Sequence, residues 1–176
     1  MPSKKPPPSR KPVSSARGHW LVKSEPGTFS FEDLLRSPGK RTGWDGVRNH
    51  QAKLYLRDQM KVGDGVLFYH SSAEPPGVAG VARVARAGHP DPTQFEKGSD
   101  HFDPKSRPSD PTWFQVEIQA VAAMPRFVTL EELRARPELS GMLLLRRGQR
   151  LSVLPVAPAE WKAILALGGL DPARAG

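Results

Sequence analysis

The segment V-L-F-Y-H (Val66–His70), a Glu74–Gly77 turn, and then V-A-G-V-A-R-V-A-R-A (Val78–Ala87) read as two strands in an antiparallel pair. The first run, apolar up to its closing His70, reads as a buried strand. The second alternates small and β-branched residues. Small side chains let a strand coil strongly, as small barrels require.

Upstream, H-W-L-V-K-S (His19–Ser24) reads as the first strand, followed by turn chemistry at Glu25-Pro26-Gly27. Ser30 with Asp33 three residues on marks a helix start, and Phe31, Leu34 and Leu35 have helical spacing. That helix stops by Ser37-Pro38-Gly39. A second helix is expected from about Asn49 to Lys61, ended by the Val62–Gly65 turn. Downstream, Gly88–Pro111 is a long polar segment with five prolines, anchored by Phe95 and Phe102. A loop of that length in a small domain points to function. Trp113–Ala123 alternates as a strand, Thr129 with Glu132 forms a capping box for a helix to about Arg136, and Leu139–Leu145 adds a helical turn. Leu151–Leu154 is a short strand. Pro158 opens the last helix, Ala159–Leu167, which Gly168-Gly169 ends. The pattern is that of a small α+β domain with a curled or barrel-like sheet and helices outside.

The chain has 176 residues, enough for one domain with a sizeable core plus a tail. It has no cysteine, which removes disulfides, thiol nucleophiles and thiolate metal sites. No apolar run reaches the roughly 18 residues of a membrane span, and the N-terminus has no signal-peptide core. A cytoplasmic protein is expected, nucleoid-associated or, in a eukaryote, nuclear. The net charge is +8, and residues 1–18 hold five basic side chains and no acid. That stretch, with Pro6-Pro7-Pro8, has too little apolar surface to order itself and is expected to be a disordered basic Pro-rich tail. Such a tail suits a polyanion, or a solvated leader.

G-W-D-G-V-R-N (Gly43–Asn49) places a tryptophan, an acid, an arginine and an amide in a glycine-flanked loop. A flat ring beside fixed polar groups suits a planar, polar ligand such as a nucleobase. The alternative is a core tryptophan, with Asp45 capping the next helix.

Several blocks in one order carry a family resemblance: W-L-V-K-S-E-P (Trp20–Pro26), W-D-G-V-R-N (Trp44–Asn49), F-Y-H-S (Phe68–Ser71), P-P-G-V-A-G (Pro75–Gly80), D-P-T-Q-F (Asp91–Phe95) and L-L-R-R-G-Q-R-L-S-V (Leu144–Val153). On these the chain resembles the EVE domain family of the PUA-like superfamily from His19 to Leu167. The domain is placed at residues 19–170. The resemblance implies an α+β fold built on a PUA-like small β-barrel of mixed strands, helices packed outside, and a concave pocket. It implies a reader of modified bases, chiefly modified cytosine in DNA, with DNA ahead of RNA as partner and no membrane. A weaker similarity to YTH readers of methylated adenine rests on Lys23-Ser24, Trp44 and the strand pair Phe68–Val84.

A flipped base needs stacking on its faces and hydrogen bonds along its edge. Trp44 is the candidate for one face, and Trp20, Tyr69 or Phe102 for the other, although alternation along its strand assigns Trp20 to the core. Ser24, Asn49 and Ser71 are short edge-reading candidates, which caps and turns would explain equally. Lys23 and Arg48 are isolated basic candidates for ligand or phosphate, which a solvated or salt-bridged role would explain equally. Arg146, Arg147 and Arg150 form a dense cluster suited to phosphate, or to pairing with carboxylates such as Asp45. None of the five histidines stands in a zinc-hydrolase or deaminase pattern, and no nucleophile elbow or P-loop is present. No metal, no cofactor and no catalysis are expected. Two other functions stay open: an enzyme using Asp45, His50 or His70 as acid or base, and a small-molecule or protein-interaction module served by the tail.

Overall fold

Alternation along the strands sorts the apolar residues onto two faces of one mixed sheet. The computed structural model describes residues 16–176. Its strands are β1 (His19–Ser24), β2 (Arg41–Gly43), β3 (Gly65–His70), β4 (Gly77–Pro90), β5 (Phe114–Thr129) and β6 (Val153–Pro155). They lie in the order β2-β5-β4-β3-β1-β6, with β1 and β3 parallel and the other neighbours antiparallel. Trp20, Val22, Val66, Phe68, Val84, Val116 and Ile118 build a core on one face. Leu21, Leu67, Tyr69, Val81 and Val128 build a second core on the other. Both sides of β3 are therefore buried, which is why its sequence is apolar without a break.

Four short helices close the two cores. Phe31 and Leu34 of α1 (Phe31–Arg36), with Ala52 and Leu56 of α2 (His50–Leu54) and its π-helical continuation (Tyr55–Gln59), cover the first. Leu133 of α3 (Leu130–Arg134), with Trp161, Ile164 and Leu165 of α4 (Pro158–Gly168), covers the second. The expected caps are present. Ser30 with Asp33 and Thr129 with Glu132 each close both arms of a capping box. Gly169, at φ 71°, ends α4 in the left-handed conformation.

The structure departs from the sequence pattern in three places. β2 was not expected, because R-T-G shows no alternation; it exists by pairing Arg41–Gly43 with Glu117–Gln119 of β5. The expected helical turn at Leu139–Leu145 is split into two 3-10 turns, Pro137–Leu139 and Leu143–Leu145. β4 and β5 run on to Pro90 and Thr129, through Pro125. Their register jumps: Val78 faces Val128 but Gly80 faces Ala123. Pro125 falls in the residues left over, where its missing N–H breaks no ladder. Such bulges raise the local twist, and three further shifts along the pair add to it. The sheet curls in the manner of a small barrel, while β2 and β6 remain its unjoined edges.

Most of the tail expected over residues 1–18 lies outside the described residues. At its end, Arg17 and Gly18 contact the domain. Gly65 N donates to the Gly18 carbonyl at 3.0 Å, and Arg17 Nη2 to the Ala175 carbonyl at 2.9 Å.

Asp64 joins the start of β1 to the turn before β3. Its Oδ1 accepts from Gly18 N, and its Oδ2 from Trp20 Nε1 and Lys61 N, all at 2.9 Å. Asp64→Ala leaves these donors without their acceptor, at about 1–3 kcal/mol for each one that water cannot reach. Urea unfolding should show a loss of about 3 kcal/mol with an unchanged slope. Asp64→Asn, which keeps one oxygen, should lose less.

Candidate functional site

The crossover from β1 to β3 carries α1, β2, the Gly43–Asn49 loop and α2 across the open side of the sheet. A cleft of about 650 Å3 lies there. Its walls come from both ends of the strand order: Lys23 and Ser24 of β1 and Ser152 before β6 on one side, Thr42 and Gly43 of β2 on the other. The Glu25–Phe29 turn, the loop Trp44–Arg48 and His101 complete it. The site is the seam that an unclosed barrel leaves.

Trp44 forms part of the wall with only 8 % of its surface exposed. It stands edge-on to Phe68 at 5.4 Å and to Phe29 at 6.5 Å. It is thus both a core residue and a cleft residue. Phe29, half-buried, is the other benzenoid ring in the lining. The sequence did not reveal it. Phe29 occupies the position before the N-cap Ser30, where an apolar residue is already accounted for as a helix staple.

The loop is held by one buried carboxylate. Asp91 is fully buried, and its Oδ2 accepts from Gly46 N at 2.8 Å and Arg48 Nη1 at 2.9 Å. Its Oδ1 accepts from Thr93 N at 2.8 Å and Thr93 Oγ1 at 2.6 Å. Burial alone would raise its pKa, but the hydrogen bonds from Thr93, Gly46 and Arg48 outweigh it and the net shift is downward. Gly46 has φ 74°, and a Cβ there would lie 2.5 Å from His101 Nε2, so the loop needs glycine at this point.

Arg48 corrects one expectation. Its Nε donates to the His101 carbonyl, Nη1 to Val47 O and Asp91, and Nη2 to Thr93 Oγ1 and the His101 carbonyl. All five N–H groups are occupied, and none is left for a phosphate. Arg48 is the clasp between the loop and the 91–103 segment. Trp113 supports it, its ring centroid 5.4 Å from the guanidinium carbon.

The remaining candidates separate cleanly. Lys23 and Ser24 line the cleft. Burial lowers the Lys23 pKa, and among the described residues no carboxylate pairs with its ammonium. The Ser24 hydroxyl donates to the Phe29 carbonyl and so fixes that ring's turn. Asn49, not Asp45, caps α2, accepting from Gln51 N and Ala52 N, and it lies outside the lining. Tyr69 points to the opposite face of the sheet, one residue out of phase with Phe68. Ser71 donates its backbone N–H to the Ser24 carbonyl at 2.9 Å but does not line the cleft. Trp20 is a core residue, as its alternation implied. Phe102 is half-buried outside the lining. Arg146, Arg147 and Arg150 are exposed around Gly148, and among the described residues none forms an ion pair, with Asp45 or otherwise. Their loop leads into Ser152, whose carbonyl accepts from Lys23 N at 2.9 Å.

The two histidines considered as bases sit elsewhere. His70 Nε2 accepts the Phe31 N–H at 3.1 Å, and burial lowers its pKa from 6.5. His50 stacks on Trp113 at 4.9 Å. Neither lines the cleft. Among the described residues no group of three His, Asp or Glu side chains converges to hold a metal.

A curled mixed sheet with an aromatic and basic seam defines a small cleft-bearing α+β domain. The EVE domain family model matches residues 18–167, and the chain belongs to that family. Human thymocyte nuclear protein 1 is 40 % identical over 177 residues, covering 91 % of this chain and 78 % of that protein. The crystal structure of human THYN1 protein in complex with 5-methylcytosine containing DNA superposes with a TM-score of 0.82 at 41 % identity, covering 88 % of this chain and 99 % of that one. A crystal structure from Pseudomonas putida gives 0.81 at 43 % identity, covering 85 % and 99 %.

The Asp91 carboxylate sets an acid limit on the site. Its folded pKa lies below the ordinary 3.8, so the folded state binds fewer protons than the unfolded chain in that range. The stabilisation is complete above about pH 4 and is lost as pH falls through the folded pKa. Asp91→Asn should remove that part of the acid dependence and cost about 3 kcal/mol at pH 7, because it leaves Arg48 as a poorly compensated cation. Urea titrations of both proteins from pH 3 to pH 7 measure this.

Proposed function

We propose that the domain is a non-catalytic reader of a modified base in DNA, with 5-methylcytosine as its ligand. The observation that carries this is the cleft itself. Trp44 and Phe29 offer ring surface, Lys23 offers a cation that no carboxylate among the described residues pairs with, and the volume is in the range of about 300–1,000 Å3 usual for ligand clefts. The likeness to the human THYN1 protein, seen with 5-methylcytosine containing DNA, supports the same ligand class. Phe29 is the second ring of the pocket in this reading, in place of Tyr69, Trp20 or Phe102. Arg146, Arg147 and Arg150, exposed beside the Ser152 wall, grip the phosphates. Asn49 and Ser71 hold the frame.

A cytosine methyl adds no charge. Its burial contributes about 0.8 kcal/mol, and base stacking about 1–3 kcal/mol. Preference for the methylated base is then several-fold, and the phosphate contacts supply most of the affinity.

The test is a fluorescence-anisotropy titration with matched duplexes carrying cytosine or 5-methylcytosine at one position. Wild type should bind the methylated duplex several-fold more tightly. Phe29→Ala should weaken that binding about tenfold or more and erase the preference. Trp44→Ala is a poorer probe, because truncating a core ring costs about 3–5 kcal/mol of stability. Replacing the three arginines by alanine should weaken both duplexes equally and flatten the salt dependence. Equal wild-type affinity for the two duplexes would remove this reading.

A further inference from the structure

Among the described residues, the cleft holds a carboxylate that neither the fold nor the proposed contacts engage. Asp45 follows Trp44 directly and lines the cleft. It caps no helix, and among the described residues neither a hydrogen bond nor an ion pair engages its carboxylate. Its backbone is nevertheless fixed on both sides. Trp44 N donates to the Val116 carbonyl at 2.7 Å, and Gly46 N to Asp91 Oδ2 at 2.8 Å. An unengaged acceptor on a pinned loop, beside the ring wall of the cleft, is placed to receive a hydrogen bond from whatever lies against that wall. Asp45 is exposed at its surface, yet partial desolvation in the cleft, and next the nearby negative Asp91, raise its pKa against the opposing pull of His101 and Arg48. A hydrogen bond donated to the carboxylate offsets both effects by favouring its ionised form.

The other acidic side chain in the lining, Glu25, is exposed like Asp45, but it stands on the turn after β1 and has Ser72 Oγ at 3.5 Å. The hydroxyls of Ser24 and Thr42 are directed at the Phe29 and Gly43 carbonyls. Asp45 is thus the carboxylate of the lining that stands on the pinned loop beside Trp44 and has no side-chain partner among the described residues.

The reading of the cleft as a 5-methylcytosine site, on which this inference rests, leaves a selectivity problem that the methyl group cannot solve. Thymine carries the same 5-methyl group on the same ring. The two bases differ at position 4, where cytosine presents an amino donor and thymine a carbonyl acceptor. Position 4 is adjacent to the methyl-bearing carbon, so a wall that touches the methyl also faces the group that differs. A carboxylate accepts from the amino group and repels the carbonyl. We propose that Asp45 is the specificity-determining residue of the cleft: it accepts from the exocyclic 4-amino group, admits cytosine-type bases and rejects thymine and uracil.

The experiment places cytosine, 5-methylcytosine, uracil or thymine opposite an abasic site in one duplex sequence, so that no partner base biases opening. Affinities are measured at one salt concentration for wild type, Asp45→Asn and Phe29→Ala. Wild type should prefer each amino base over its oxo counterpart by about ten- to a hundredfold, equally with and without the methyl group. Asp45→Asn, whose amide can turn to donate or accept, should bring both ratios to within about twofold and leave the methyl preference in place. Circular dichroism on each variant checks that the fold is kept.

Thymine bound as tightly as 5-methylcytosine by wild type would overturn the inference. So would thymine bound more tightly, because a carboxylate facing position 3 would accept from the thymine N–H. Unchanged ratios in Asp45→Asn would also overturn it. Each of these results leaves the base-reading function standing if 5-methylcytosine still exceeds cytosine and Phe29→Ala still abolishes that preference. Failure of both controls instead removes the base-reading function itself.

Discussion

One buried carboxylate holds the two irregular segments of this domain together. Asp91 receives donors from the Gly43–Asn49 loop on one oxygen and from Thr93 on the other. The loop has only Gly43 in a strand, and the other segment only the single 3-10 turn Pro92–Phe95 that Asp91 itself caps. Through Arg48, which bonds Asp91, Thr93 and the His101 carbonyl, the contact extends along the 91–103 stretch. The cleft wall from Trp44 to His101 follows from this one anchor. A buried charge pair contributes little net stability compared with an apolar pair of similar shape. What it contributes here is position, because its donors have fixed directions and an apolar contact does not.

The fold was legible where periodicity carried information and obscure where it did not. β3 and the start of β4 could be read because an unbroken short apolar run and a small/β-branched run, each bounded by turn residues, suit a strand and little else. Both capping boxes could be read because Ser30 with Asp33, and Thr129 with Glu132, satisfy donors that any helix start exposes. β2 could not be read. Arg41–Gly43 is a strand only because β5 passes beside it, and that neighbour lies more than seventy residues away. The extension of β5 past Pro125 was hidden by the same kind of dependence. Proline argues against a strand unless a bulge relieves it, and the bulge is a property of the pair.

The candidate site was legible in part, for related reasons. Lys23, Ser24 and Trp44 could be named because their blocks resemble the family, and the cleft contains all three. Tyr69 was one residue out of phase, and a period-two strand sends such a residue to the other face. Arg48 could not be decided between phosphate and a salt bridge in the sequence because its acceptors, Asp91 and the His101 carbonyl, are more than forty residues away. Phe29 was concealed by its place beside a helix cap, which is reason enough for an apolar residue there. Residues that serve one purpose are easy to read in sequence. Those that serve two are credited with the commoner one.

The division of labour between cleft and rim follows from the physics of each. In the proposed reading the rim arginines, which are exposed, attract phosphate in a way that salt screens and base identity does not affect. The cleft groups act at short range and in fixed directions. Salt therefore weakens the grip without altering the ratio between two bases held in the same place. That separation suits a base reader. Affinity can be set by how many basic residues surround the seam, while selectivity is set by a few groups on a loop that Asp91 and Val116 hold still. Movement of the loop by a fraction of an ångström would blur that selectivity long before it reduced the total affinity.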